Sequence, residues 1–146
     1  LPDGQRIETR GVYRPARVKQ VICYRRDLKM RKGKIAAQVA HAALAVLTRR
    51  DRGPVDALHL PLDGPTAWWV HGRSAKIVLS VADEAALLHV HAAARQAGLP
   101  AAIITDAGKT EFHGVPTRTT VAVGPATAAE IDAITGPDGL VDTKLA

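Results

Sequence analysis

The chain has 146 residues, with 20 Lys and Arg against 14 Asp and Glu, and its net charge of +6 is compatible with a polyanionic partner. This length fits one domain that buries a core without disulfides or metals, and a hydrophobic content of 47% is typical of folded proteins. Five aromatic residues are too few for a base-stacking platform, a single cysteine excludes an internal disulfide and favours the reducing cytoplasm, and no apolar run could span a membrane.

The first predicted elements are a polar arm, a strand and a basic loop that leads into a helix. Residues 1–17 are rich in Arg, Gly and Pro and lack periodicity, which predicts an extended N-terminal arm. Residues 18–25 are β-prone and predict a central strand. A helix is predicted over 34–50, because apolar residues recur there with helical period. The apolar stripe consists of Ile35, Val39, Ala42 and Val46.

The rest of the chain predicts an alternation of strands and helices after a long connection. The connection covers 51–73, contains three prolines and two tryptophans, and includes one irregular helical turn predicted at 55–60. A strand over 75–81 is followed by Asp83, a predicted N-cap for a helix that runs to Gln96. The last predicted elements are strands at 99–105 and 119–123 and a helix at 127–134.

This order predicts one α/β domain over residues 18–146, with a four-stranded mixed, mainly parallel β-sheet and helices on both faces. Ligands of open α/β sheets bind beyond the carboxyl ends of the strands. A loop at 27–33 leaves the first strand, and a polar segment at 106–110 leaves the third. If these two strands point the same way, Lys34 approaches Asp106.

The Gly33-Lys34 pair at a helix start has some features of a phosphate-binding loop. Leu28 and Ile35 occupy the positions where the nucleotide-binding motif requires Gly and Ser or Thr, so a nucleotide triphosphate site is not expected. The helix N-terminus and its basic neighbours still favour a phosphate or carboxylate, although a solvated basic loop explains them equally well.

The other candidate groups are histidines and one carboxylate. His89 and His91 lie two residues apart on a predicted helix and cannot easily share an ion, so no metal site is expected. Asp106 ends an apolar strand, where a carboxylate acts either as a turn cap or as a general base or lysine partner.

Four blocks of the chain carry a combination of motifs. They read Asp27-Leu28-x-Met30-x-x-Gly33-Lys34-Ile35-Ala36-Ala37-Gln38-x-x-His41-Ala42, Thr105-Asp106-Ala107-Gly108-Lys109-Thr110, Val121-x-Val123-Gly124-Pro125 and Ile131-Asp132-x-Ile134-Thr135-Gly136. With these blocks in this order, the chain from about Val18 to Leu140 resembles the type II peptidyl-tRNA hydrolase family. The resemblance implies a compact α/β domain, often a homodimer, that hydrolyses the ester joining a stalled peptide to the 3′ end of its tRNA. It implies no metal, nucleotide or other cofactor.

The resemblance also assigns roles to residues. The catalytic residues would be Lys34, Asp106, Thr110 and Thr119. Substrate contacts would come from Gln38, His41, Arg31, Lys32, Lys109 and Arg118. The segment after Thr110 has an apparent extra residue, so Thr117 and Thr120 are alternatives to Thr119. With Arg25, Arg26 and Lys29, the basic residues would meet phosphates of the acceptor stem, and affinity would depend on salt.

The chemistry expected at this site is attack of water on an ester carbonyl. Lys34 would stabilise the charge that develops on the carbonyl oxygen. Asp106 would accept the proton of the water, directly or through Thr110, or would only hold Lys34 in place. Two alternatives stay open: a non-catalytic tRNA- or protein-binding domain of the same fold, and a hydrolase that acts on another acylated tRNA.

Overall fold

The computed structural model describes residues 17–49 and 53–146. Within these residues the strands are β1 (Val18–Arg25), β2 (Lys76–Val81), β3 (Ala101–Asp106), β4 (Thr117–Thr127) and β5 (Lys144–Leu145). The helices are α1 (Lys32–Thr48), α2 (Gly64–His71), α3 (Glu84–Gln96) and α4 (Ala128–Thr135), and a short 3-10 turn covers Arg26–Leu28. The predicted arm, apart from Arg17, lies outside the described residues, and so does Arg50 at the predicted end of the first helix.

All five strands form one sheet in the order β3-β4-β1-β2-β5. Among the strands of the described residues, only β1 and β2 pair in parallel; β4 is antiparallel to both β1 and β3, and β5 is antiparallel to β2. The predicted mixed α/β sheet is confirmed, but the predictions of four strands and of mainly parallel pairing are wrong. The ten residues between β3 and β4 are too few for a crossover, which needs a dozen or more, so the chain turns back as a hairpin. The fifth strand has two residues, too few to show a period.

The direction of the strands brings two loops to one edge of the sheet. Because β1 and β3 both run antiparallel to β4, which lies between them, they point the same way. Their carboxyl ends therefore share an edge, as the prediction of a Lys34–Asp106 approach required. The basic loop after β1 and the polar segment after β3 emerge side by side there.

Apolar side chains pack on both faces of the sheet. On one face, α1 covers Ile22, Ala102, Ile104 and Ala122. On the other face, α3 and α4 cover a larger cluster. The sheet residues of that cluster are Val21, Cys23, Leu79, Val81, Val121, Val123 and Ala126. Helix α2 lies beside α1, where Trp69 borders the same groove as the apolar residues of α1. Helices therefore cover both faces, as predicted.

The predicted connection contains a helix that the sequence analysis missed. Asp63 caps α2 by accepting a hydrogen bond from the Thr66 N–H at 2.8 Å, and Pro65 stands at the helix start, where its missing N–H costs nothing. The prolines of this segment were used as evidence for a connection without regular structure, although Pro65 closely follows a capping residue. The helical turn predicted at 55–60 is wrong, because the described residues 53–63 contain only a simple turn.

No helix among the described residues has the length and hydropathy needed to cross a membrane.

Candidate active site

Lys34 lies at the centre of a polar cluster on the edge shared by β1 and β3. It stands in the first turn of α1, and its Nζ atom donates to Asp106 Oδ1 at 2.8 Å and to Thr110 Oγ1 at 2.9 Å. The Lys34 and Asp106 side chains are only 15% and 14% exposed, so water screens the ion pair less than it would a surface pair. The structure thus brings together three of the four residues that were predicted to be catalytic.

Asp106 is held as a carboxylate by several donors. Besides Lys34, the Gly108 N–H donates to Oδ2 at 2.8 Å and Gln38 Nε2 donates to Oδ1 at 3.3 Å. The hydrogen bond from Lys34 is the main cause that lowers the pKa of Asp106; Gly108, the charge of Lys34 and Gln38 add to it, and partial burial opposes them. A carboxylate with a lowered pKa is a weak base at neutral pH.

A β-bulge in β4 connects Thr119 to the cluster indirectly, through Gln38. The pairing of β3 with β4 shifts between Ile104, opposite Thr120, and Thr105, opposite Arg118, so Thr119 is the extra residue. Both threonines consequently contact α1: Thr119 Oγ1 donates to Gln38 Oε1, and Thr120 Oγ1 donates to the Gln38 carbonyl oxygen at 3.3 Å. Thr119 is fully buried and does not contact Lys34 or Asp106 through any recorded hydrogen bond. Its link to the site runs through the amide of Gln38.

The loop between β3 and β4 closes over the start of α1. Gly108 has a φ of +83°, and an added Cβ would overlap the backbone of Val115, so this position requires glycine. Two residues of the loop were missed by the sequence analysis. The Glu111 carboxylate lies 3.2 Å from Arg31 Nε, and the ring centroid of Phe112 lies 5.6 Å from Lys34 Nζ, within reach of a cation–π contact. Proximity to Thr110 in the sequence was the only signal for them.

The predicted substrate-binding residues are distributed unevenly around the cluster. Gln38 is buried inside it, and Arg31 borders it through Glu111. His41 and Lys109 are exposed, His41 on the side of α1 that carries Lys34 and Lys109 next to Thr110. The structure does not bring the other two to the cluster.

Those two residues face elsewhere. Lys32 lines the apolar groove on another side of α1. Arg118 lies 3.9 Å from the Glu84 carboxylate at the start of α3, which packs on the opposite face of the sheet. Thr117, one of the alternatives for the second threonine, donates to the Val115 carbonyl and also takes no part in the cluster.

The cluster has an unused donor. A lysine ammonium carries three N–H donors, of which Lys34 commits two, to Asp106 and Thr110. Among the described residues no acceptor for the third is recorded, so it is available to an oxygen atom of a substrate. Thr110, which accepts from Lys34, keeps its own O–H donor. The arrangement is suited to stabilising negative charge that develops on a carbonyl oxygen.

Comparisons with known proteins agree with this chemistry. The family model described as "Peptidyl-tRNA hydrolase PTH2" matches residues 18–137. The chain is 40% identical over 119 residues to a "Peptidyl-tRNA hydrolase" of Methanopyrus kandleri, covering 81% of this chain and 93% of the relative. A protein of the same name from Staphylothermus marinus is 42% identical over 118 residues, covering 81% and 90%. "Peptidyl-tRNA hydrolase 2" of Saccharomyces cerevisiae is 38% identical over 122 residues, covering 84% and 57%. This chain belongs to the peptidyl-tRNA hydrolase PTH2 family.

Proposed function

We propose that the protein hydrolyses the ester bond between peptide and tRNA in peptidyl-tRNA and releases free tRNA. The observation that supports this most is the contact of Lys34 with both Asp106 and Thr110 at the edge where two strands end. The names of the relatives point to the same substrate. The proposal places the protein in the cytoplasm, where peptidyl-tRNA arises.

In the proposed reaction, the oxygen of a water molecule bonds to the ester carbonyl carbon, and Lys34 stabilises the resulting oxyanion with its third N–H donor. The bond from that carbon to the 3′ oxygen of the tRNA then breaks, and the proton lost by the water passes to this oxygen, which leaves as a hydroxyl. Asp106 holds the ammonium in position. The lowered pKa of Asp106 favours this holding role over that of general base, because an effective base has a pKa near the working pH. The Thr110 hydroxyl is placed to orient the attacking water or to donate to the oxyanion.

The test is release of tRNA from purified N-blocked aminoacyl-tRNA, with unblocked aminoacyl-tRNA as the comparison substrate. Hydrolysis of the blocked substrate supports the proposal. Tight tRNA binding without turnover would support a non-catalytic binding domain instead. Preferred hydrolysis of the unblocked substrate would indicate a hydrolase for another acylated tRNA.

We expect Thr119→Val to slow hydrolysis about tenfold and to lower stability by about 1–3 kcal/mol, because it leaves Gln38 Oε1 buried without its donor. The Gln38 amide is then free to turn away from Asp106. Thr120→Val is the matched control, since the Thr120 hydroxyl bonds only the backbone of Gln38 and the hydroxyl of Thr119. Turnover and thermal unfolding of both variants check this, and equal turnover would contradict a positioning role for Thr119.

We also propose that the protein forms a homodimer through an apolar groove of about 910 Å³. The groove is lined by Ile35, Val39, Leu44 and Leu47 of α1 with Trp69 and Val78. The Leu44 side chain is 59% exposed, and burying this apolar surface in an interface would be favourable. A second copy of the chain is the occupant that the family resemblance favours.

Sedimentation equilibrium checks this second proposal. We expect a dimer for the unmodified chain and a monomer for Leu44→Glu, because the interface would then have to bury a charged carboxylate. Ala92→Glu, at an exposed position of α3 on the other face of the sheet, should leave the dimer intact. A monomeric unmodified chain would contradict the proposal.

A further inference from the structure

A basic pocket lies at the free edge of β3, away from the Lys34 cluster. Its volume is about 490 Å³, and its walls are the end of α1, the end of α3 and the first half of β3. Its charged or titratable lining residues are Arg49, Asp63, His91 and Arg95. None of the basic residues predicted from the sequence to meet phosphates is among them. The chemistry described for Lys34 and Asp106 leaves this pocket unexplained.

The charges around the pocket favour an anion. Arg49 Nη1 donates to the Ile103 carbonyl at 2.7 Å, which fixes the guanidinium beside the strand edge and leaves its other donors for a ligand. Arg95 is exposed in the last turn of α3. Among the described residues that line the pocket, the only carboxylate is that of Asp63, which caps α2, against two guanidinium groups.

The positive charge of the pocket also affects the pKa of His91. Its pKa is lowered, first by burial and then by the charges of Arg95 and Arg49. Both guanidinium groups line the same pocket as His91, in agreement with this effect of their charges. A bound phosphate would offset this repulsion and could accept hydrogen bonds from all three side chains.

The pocket and the Lys34 cluster lie at the two ends of the contact between α1 and β3. Lys34 at the start of α1 reaches Asp106 at the end of β3, whereas Arg49 just beyond α1 reaches Ile103 earlier in the strand. Helix and strand thus run in opposite directions side by side. Lys34 and Arg49 are fifteen positions apart along α1, which corresponds to a rise of about 22 Å. The β3 residues that line the pocket, Ala101–Ile103, precede Asp106 by three to five positions, about 10–17 Å along the strand. These distances correspond to several base pairs of a nucleic-acid duplex.

We propose that Arg49, His91 and Arg95 bind a backbone phosphate of the substrate RNA, several nucleotides from the 3′ end that reacts at Lys34. This inference rests on the proposed function, which supplies an RNA whose end occupies the Lys34 cluster. The site recognises the phosphodiester backbone and is indifferent to base sequence. It selects substrates that carry a stem behind the reacting end.

The test compares Arg95→Gln, the double variant Arg49→Gln/Arg95→Gln and a matched control. The control is Lys144→Gln on β5, which removes the same charge at the opposite edge of the sheet. Arg95→Gln removes no recorded hydrogen bond, so it tests the site without disturbing the β3 edge. Dissociation constants are measured for deacylated tRNA and for a short single-stranded oligonucleotide of its 3′ end, from about 50 to 200 mM salt.

We expect the double variant to bind tRNA about tenfold more weakly and its log–log salt slope to fall by about one to two, whereas Lys144→Gln changes neither. The short oligonucleotide should lose no affinity. Equal losses of affinity for both RNAs, or a loss equal to that of the control variant, would overturn the proposal. Retained tRNA affinity with binding of inorganic phosphate to the pocket would also overturn it, in favour of a small-anion site. If the unmodified protein neither binds nor hydrolyses acylated tRNA, the proposed function itself fails.

Discussion

Replacing Lys34 with methionine is expected to slow hydrolysis of peptidyl-tRNA by about 10²–10³-fold, with little change in affinity for deacylated tRNA. Methionine keeps the length and apolar character of the side chain but removes the ammonium that contacts Asp106 and Thr110. Loss of one oxyanion donor in a partly buried site commonly costs this much in rate. Single-turnover rates and equilibrium binding, measured separately, check both halves of the expectation.

Lys109→Met provides the contrasting variant. Lys109 is next to Thr110 in the sequence but is exposed, and the structure records no hydrogen bond or ion pair for it. Its loss should weaken tRNA binding and reduce its salt dependence rather than slow the chemical step. A rate for Lys34→Met close to that of the unmodified chain would remove Lys34 from the mechanism.

Asp106→Asn is expected to lower the rate about 10²-fold, because a carboxamide cannot replace the carboxylate at this position. The carboxylate accepts from Lys34, Gln38 and Gly108, whereas an asparagine amide has one acceptor oxygen and places an NH₂ group against one of these donors. The Lys34 ammonium also loses its counterion. Turnover of the blocked substrate measures the effect.

The pH dependence of hydrolysis tests whether Asp106 is ionised throughout the working range of pH. The donors around Asp106 lower its pKa, so the carboxylate stays ionised throughout the neutral range and is protonated only below about pH 4. We therefore expect the ratio of the rates of the unmodified chain and Asp106→Asn to stay constant from pH 5 to 8. A ratio that falls as the pH drops through this range would show that Asp106 is protonated there, which would contradict the lowered pKa.

The lowered pKa of Asp106 also makes the stability of the fold depend on pH. A carboxyl whose pKa is lower in the folded than in the unfolded chain stabilises the fold above its unfolded pKa, and this stabilisation is lost as the pH falls through the folded pKa. The stability difference between the unmodified chain and Asp106→Asn should therefore shrink in acid, below about pH 4. Urea unfolding at several pH values measures it.

Local patterns were sufficient to predict the parts of the fold that depend on short stretches of chain. β1 was found with its observed bounds, and the cap at Asp83 is present. The approach of Lys34 to Asp106 followed from the general rule on strand ends. Strand pairing depends on contacts between distant residues, so the antiparallel insertion of β4 and the short β5 left no local signal.

The candidate site shows the same division. Lys34, Asp106 and Thr110 lie in motif blocks, but the choice among Thr117, Thr119 and Thr120 depended on a β-bulge that no local pattern indicates. The basic pocket joins Arg49 from one helix to His91 and Arg95 from another across the edge of the sheet. These residues are far apart in the sequence, so only the fold reveals that they are neighbours.

The β-bulge also determines how this chain can be aligned with its relatives. Before the bulge Arg118 points toward α3, and after it Val121 does so, with two consecutive threonines facing α1 in between. A residue gained or lost between Thr110 and Thr120 can therefore be absorbed at this irregularity, without reversing the orientation of the core residues beyond it. The length of the loop before β4 can therefore change while the same residues of β4 face the core. The number of residues after Thr110 is consequently a poor criterion for identifying the threonine of a relative that corresponds to Thr119. A hydrogen bond to the glutamine side chain that corresponds to Gln38 is a better criterion.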